Sequence, residues 1–150
     1  MIVYRIANEG YKSDISGEGA AIYGGRWNSI GVKLLYTSQN ISLTILESLV
    51  HFRSDLIPRS QFLLYIDIPE KDIVEISIDK INPSWQTDPE YTQWIGDQFI
   101  NSNQAMILRV PSVIVPQESN FLINPLHKDS KKVKLISAEL LQLDKRLHIS

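Results

Sequence analysis

The sequence predicts an α+β fold, and three observations carry that reading. Short β-branched runs recur through the second half, broken by Pro111, Pro116 and Pro125. Two helices announce themselves by their caps and apolar spacing. Six of the seven glycines crowd between Gly10 and Gly31, which favours tight turns over regular structure there. At 150 residues the chain is expected to form one domain, 1–150, able to bury a core without staples.

Taken in order, Ile2–Ile6 reads as a first strand. The glycine-rich stretch that follows is expected to lack regular helix or strand, and a loop of that length is usually kept for function. Lys33–Ser38 reads as a buried strand. Ile41 to about Phe52 reads as a helix with Ser38 or Asn40 as N-cap, its core face set by Leu43, Leu46 and Val50. Phe62, Leu64, Ile66 and Ile68 alternate on one side of a strand ending at Pro69, and Ile73–Ile76 is a weaker strand. Asp88 as N-cap with Pro89 behind it starts a second helix through about Phe99, presenting Tyr91, Trp94, Ile95 and Phe99. Met106–Val110, Val113–Val115, Phe121–Ile123 and Val133–Ile136 are short strand-like runs. Ala138–Leu147 has the composition of a helix.

Composition excludes several function classes. A formal charge of −2 argues against a protein that grips nucleic-acid backbones. With no cysteine, disulfides, thiol nucleophiles and thiolate metal sites are ruled out, and a reducing cytoplasm suits such a chain. No apolar run is long enough to span a bilayer, and the start of the chain lacks a signal-peptide pattern. His51, His127 and His148 form no metal-ligand pair, so no metal is expected. Lys128–Lys134 reads as a solvated basic loop.

Four residues could carry chemistry. Glu47 lies inside the apolar stripe between Leu43 and Val50, where a carboxylate must find partners or stay protonated. Two readings stand: a buried glutamate bonded to backbone or His51, or a functional carboxylate. Arg26 follows two glycines, so a sharp turn could present main-chain amides beside a guanidinium, a combination suited to phosphate. An exposed arginine on a surface turn has the same local sequence. The stretch is neither a P-loop nor a dinucleotide fingerprint, because the required Gly-Lys-Ser/Thr or Gly-x-Gly-x-x-Gly is missing. Ser112 interrupts an apolar run without the elbow motif of a hydrolase, and the commoner reading of such a residue is a buried serine bonded to a neighbouring carbonyl. Tyr36 is a core aromatic by position, or a ring beside a cationic ligand.

As an ordered set these residues resemble the RES-domain family, the toxin component of bacterial RES–Xre modules, named for an arginine, a glutamate and a serine. The resemblance runs through Tyr4-Arg5-Ile6, Gly17-Glu18-Gly19-Ala20, Tyr23-Gly24-Gly25-Arg26-Trp27-Asn28, Gly31, Tyr36-Thr37-Ser38 and Leu43 to Glu47. It resumes at Val110-Pro111-Ser112 and Asn120 to His127, and closes near Asp144 to Leu147. Arg26, Glu47 and Ser112 fall on the name-giving positions, with Tyr36 on a recurrent tyrosine between the first two. Thr44 stands where an alanine is usual and is expected to face away from Leu43 and Glu47; the tail after Ile136 is less typical.

The resemblance implies a fold similar to the ADP-ribosyltransferases, with a split mixed sheet, and strand character for Ala138–Leu147. It implies NAD as substrate and no cofactor. Arg26, Tyr36, Glu47 and Ser112 would then be catalytic, and Arg5, Arg26, Trp27, Asn28, Tyr36 and Ser112 would bind NAD. Ser112 would touch the nicotinamide or ribose, or orient Glu47. The acceptor of the ADP-ribosyl group stays open among water, phosphate and a protein side chain. The implied partner is an Xre-type helix-turn-helix antitoxin covering the active-site cleft, and a homodimer is compatible with the sequence. A non-catalytic nucleotide-binding module, or a protein acting only through its antitoxin interface, are the readings from other classes.

Overall fold

The computed structural model describes residues 1–51 and 60–147, so Phe52, where the first predicted helix was expected to end, and His148 lie outside the described residues. The elements run β1 (Ile2–Asn8), α1 (Glu18–Tyr23), β2 (Leu35–Ser38), α2 (Ile41–Leu49), β3 (Gln61–Asp67), β4 (Ile73–Glu75), α3 (Pro89–Ser102), β5 (Ile107–Pro111), β6 (Ser119–Ile123) and β7 (Lys134–Leu140), joined in places by 3-10 turns. The strands form one seven-stranded sheet in the order β4-β5-β6-β2-β1-β3-β7. β4 and β5 are parallel and the other neighbours antiparallel, which gives the expected α+β fold with a mixed sheet. No described helix is long and apolar enough to cross a membrane.

Both faces of the central strands are covered. Phe121 and Ile123 of β6 pack with Val3, Leu64, Ile66 and Ile107 on one side. Leu122 packs with Leu108, Val110, Trp27, Trp85 and Phe99 on the other. Burial on two faces explains why these strands read as unbroken apolar runs. Each such side chain contributes roughly 1.5–3 kcal/mol on burial.

The sheet is almost divided in two. β1 pairs with β3 along its whole length, yet it meets β2 at one register pair, Tyr4↔Ser38. Beyond that point the strands diverge, and the Arg5 guanidinium spans the gap by donating to the Tyr36 carbonyl oxygen at 3.4 Å.

Several expectations need correction. The glycine-rich stretch does hold a helix, α1, framed by Gly17 (φ +73°) and Gly24 (φ +70°). Glycine supplies these left-handed ends at little cost, which is why the residues between them can coil. On α2 the buried residues are Leu43 and Thr44, while Leu46 and Val50 are 41% and 59% exposed. Thr44 is thus buried beside Leu43, and Glu47 follows one turn on, three residues from Thr44 and four from Leu43 as helix neighbours are. The Thr44 hydroxyl tolerates burial by donating to the Asn40 carbonyl at 2.8 Å. On α3, Trp94 is 59% exposed and the buried set is Thr92, Gly96 and Phe99. Val113–Val115 is a turn, set between two prolines that cannot donate to a ladder. The C-terminal segment is strand to Leu140, continuous with the run begun at Lys134, and irregular after it apart from a 3-10 turn at Lys145–Leu147.

Candidate active site

A cleft of about 570 Å³ opens where β1 and β2 part. Arg5 and Tyr36 come from the two strands, Arg26 from the loop after α1, Glu47 and His51 from α2 and its end, and Asn120 from β6. Sequence positions spread over more than half the chain therefore meet at the sheet's weakest seam.

Asn40 sets the register of α2, its side chain accepting from the Leu43 amide at 2.8 Å. With Leu43 and Thr44 turned into the sheet, the next turn brings Glu47 to the cleft, half-buried. Its Oε1 accepts two hydrogen bonds, from Ser112 Oγ at 2.6 Å and Asn120 Nδ2 at 2.7 Å. The Ser112 oxygen itself accepts from the Ile114 and Val115 amides at 3.0 and 3.1 Å. With its lone pairs taken by two N–H groups, its proton is directed to the carboxylate. The Asn120 amide is oriented just as firmly. A carboxylate can only accept, so nitrogen must face Glu47, and the Asn120 oxygen accepts from Ser38 Oγ at 2.8 Å. Among the described residues none bonds Glu47 Oε2.

Ser112 is fully buried behind Glu47, and of the two roles open to it the geometry supplies the one that orients the carboxylate. The alternative pairing of Glu47 with His51 is not made; His51 is exposed at the rim. Asn120 was missed as a site residue. Its signal was a polar side chain entering an apolar strand whose main chain is already satisfied by the ladder, and such a side chain must find a partner.

The Arg26 loop is held from inside. The Tyr36 hydroxyl accepts the Trp27 amide at 2.9 Å and donates to Asn28 Oδ1 at 2.7 Å. Burial holds this phenol far above its ordinary pKa, the neighbouring Asp97 adding to the shift and the Trp27 amide and Arg26 opposing it, so it stays a neutral donor. Gly25 is required here, because a Cβ would lie 2.6 Å from the Tyr36 oxygen and 2.8 Å from Asn28 Oδ1. Asn28 Nδ2 donates to the Ala20 and Val32 carbonyls at 2.8 and 2.9 Å. The Trp27 ring packs on Trp85 with centroids 6.0 Å apart. The side chains of Trp27 and Asn28, expected to touch substrate, are buried in the frame of the loop, and Trp27 still borders the cleft. Tyr36 offers the cleft its ring, since its hydroxyl is already bonded on both sides.

Two cations face this space. Among the described residues the Arg26 guanidinium has one bond, from Nη1 to the Gln86 carbonyl oxygen at 3.2 Å. Arg5 Nε is buried without a hydrogen-bond partner among the described residues. Burial lowers the Arg5 pKa and Asp14 partly offsets it; an arginine stays charged even so.

Comparison with known proteins bears on the family and the fold. The model of the RES domain family matches residues 2–144. The chain is 40% identical over 135 residues to a protein named Toxin Res from Photorhabdus laumondii, covering 88% of this chain and 86% of that one. It is 37% identical over 139 residues to a protein named Prs ADP-ribosylating toxin from Sphingobium sp., covering 87% and 86%. The fold is shared with a chain of the M. tuberculosis MbcT–MbcA toxin–antitoxin complex, at TM-score 0.71 and 16% identity over 93% of this chain and 83% of that chain. On the family model and these relatives together, the chain belongs to the RES domain family.

Proposed function

We propose that this protein is the toxin of a toxin–antitoxin pair and that it breaks the nicotinamide–ribose bond of NAD. The observation that carries this is Glu47: one carboxylate oxygen held by Ser112 and Asn120, in a cleft that also presents Arg5 and Arg26. The diphosphate of NAD suits the two guanidiniums, which donate to such oxygens in a fork. The cationic nicotinamide suits the Tyr36 ring. As the C–N bond breaks, its electron pair passes to the nicotinamide nitrogen and cancels the ring charge. Positive charge then builds on the ribose carbon, where the Glu47 carboxylate stabilises it. Because Ser112 and Asn120 fix the carboxylate beforehand, little reorganisation is left for the moment of reaction. Groups preorganised in this way are worth ~3 kcal/mol, roughly 10²–10³ in rate.

Water as acceptor gives ADP-ribose, and phosphate gives the phosphorylated sugar. A protein side chain as acceptor is the second reading, favoured by the name of the Sphingobium relative. All share the same bond-breaking step. The proposed partner is an Xre-type helix-turn-helix antitoxin lying over the cleft, in the cytoplasm; the structural neighbour is itself half of a toxin–antitoxin complex. The test is nicotinamide release followed by chromatography, with and without phosphate, for the parent and Glu47→Gln. Release that Glu47→Gln abolishes supports the mechanism, and the second product names the acceptor. A variant that releases nicotinamide near the parental rate sinks it. NAD binding with no release from any acceptor leaves only a binding module.

A further inference from the structure

We infer that one face of α3 is a mould for the Arg26 loop, and that Thr92, with Gln93 and Asp97, positions Arg26 to grip a diphosphate-like anion. Thr92 Oγ1 donates to the Arg26 carbonyl at 2.6 Å. Gln93 Nε2 donates to the Gly25 carbonyl at 2.9 Å. Asp97 accepts from the Ser29 amide at 2.9 Å and from the Ser29 hydroxyl. These three lie within about 140° of arc on the helix, as 3.6 residues per turn requires for positions i, i+1 and i+5. Between them sits Gly96, so close to the Trp27 carbonyl that a Cβ would collide with it. A helix that served only to cover the loop would present apolar side chains. This face instead presents a hydroxyl, an amide and a carboxylate, and they engage residues 25, 26 and 29.

The two carbonyls held by Thr92 and Gln93 flank the Arg26 Cα, the first from its own residue and the second from the residue before. Together they fix the direction in which the side chain leaves the backbone, while the guanidinium keeps its single bond to Gln86. Main chain is anchored at two carbonyls, and the fork carries one bond among the described residues. A fork held in its binding position costs less to order when an anion arrives, so an anchor at this residue acts on ligand capture.

This rests on reading Arg26 as the diphosphate-binding group, and the test separates the two. Inorganic pyrophosphate affinity is measured by calorimetry, and KM and kcat on NAD by nicotinamide release. The proteins are the parent, Thr92→Val, Thr92→Ser and the double variant Thr92→Val/Gln93→Leu. Losing two neutral hydrogen bonds should weaken pyrophosphate binding and raise KM about tenfold, with kcat within about twofold. Thr92→Ser, which keeps the hydroxyl, should stay at the parental values. Should the double variant not fold, Asp97→Asn, which replaces the carboxylate that receives Ser29, should show the same split in milder form. Parental affinity and KM in the double variant overturn the inference. So does a kcat loss with KM unchanged, a serine variant as impaired as the valine one, or a parent that binds no pyrophosphate. Clamp-dependent pyrophosphate binding without nicotinamide release sinks the NAD reading and leaves the clamp standing. Nicotinamide release with a clamp-independent KM does the reverse.

Discussion

The two walls of the cleft are built on opposite plans. On the α2–β6 wall the functional side chain itself is immobilised: Glu47 is held by Ser112 and Asn120, and each of these is held in turn by two amides or by Ser38. On the loop wall the backbone is immobilised and the side chain is not. Residues 25–29 are bonded to Tyr36 and α3, while Arg26 ends in one bond at 3.2 Å. The difference matches what each group would be asked to do in the proposed reaction. A carboxylate that stabilises charge appearing on one atom gains from being fixed before the reaction. A guanidinium that captures a flexible diphosphate gains from a fork that can follow it.

Four substitutions would break or sharpen this contrast. Glu47→Gln removes the charge and keeps the shape, so kcat should fall about 10²–10³-fold with KM little changed; steady-state nicotinamide release measures both. Ser112→Ala leaves the carboxylate but removes one charge-assisted bond, worth ~1.5–3 kcal/mol, and should lower kcat roughly 10–100-fold. If KM rose instead, the carboxylate wall would not be the fixed one. Arg26→Lys keeps the charge and loses the planar fork, so it should raise KM several-fold, about 1 kcal/mol, and spare kcat. Leu46→Ala should shift the unfolding free energy by less than ~0.5 kcal/mol in denaturant titration, as for an exposed site. A loss of 2 kcal/mol or more, the range of a core leucine, would restore Leu46 to the buried face.

That last variant shows where the sequence stopped being informative. The α2 cap, narrowed to Ser38 or Asn40, and the Asp88-Pro89 cap were legible because a cap is local chemistry: the Asn40 or Asp88 side-chain oxygen receives the Leu43 or Tyr91 amide wherever the helix later packs. Which side of α2 meets the sheet was not legible, because Leu46 and Val50 look as fit for burial as Leu43. The sheet instead took Leu43 and Thr44, whose hydroxyl finds the Asn40 carbonyl. Glu47, Ser112, Arg26 and Tyr36 could be singled out as candidates by residue type and local sequence, and Arg5 only through the family resemblance. That Trp27 and Asn28 turn inward depends on Ala20, Val32 and Trp85, partners no local pattern points to. Asn120 was hidden for the same reason: its role exists only once β6 lies beside β2 and α2.

The single register pair between β1 and β2 has a mechanical consequence. A sheet resists bending in proportion to the ladder that ties its strands, and here two stiff plates, β4-β5-β6-β2 and β1-β3-β7, are riveted at Tyr4↔Ser38. Arg5, bonded across the joint to Tyr36, is both strut and cleft-facing cation. The gape of the jaws is therefore governed by side chains and by whatever occupies them, and very little by the backbone.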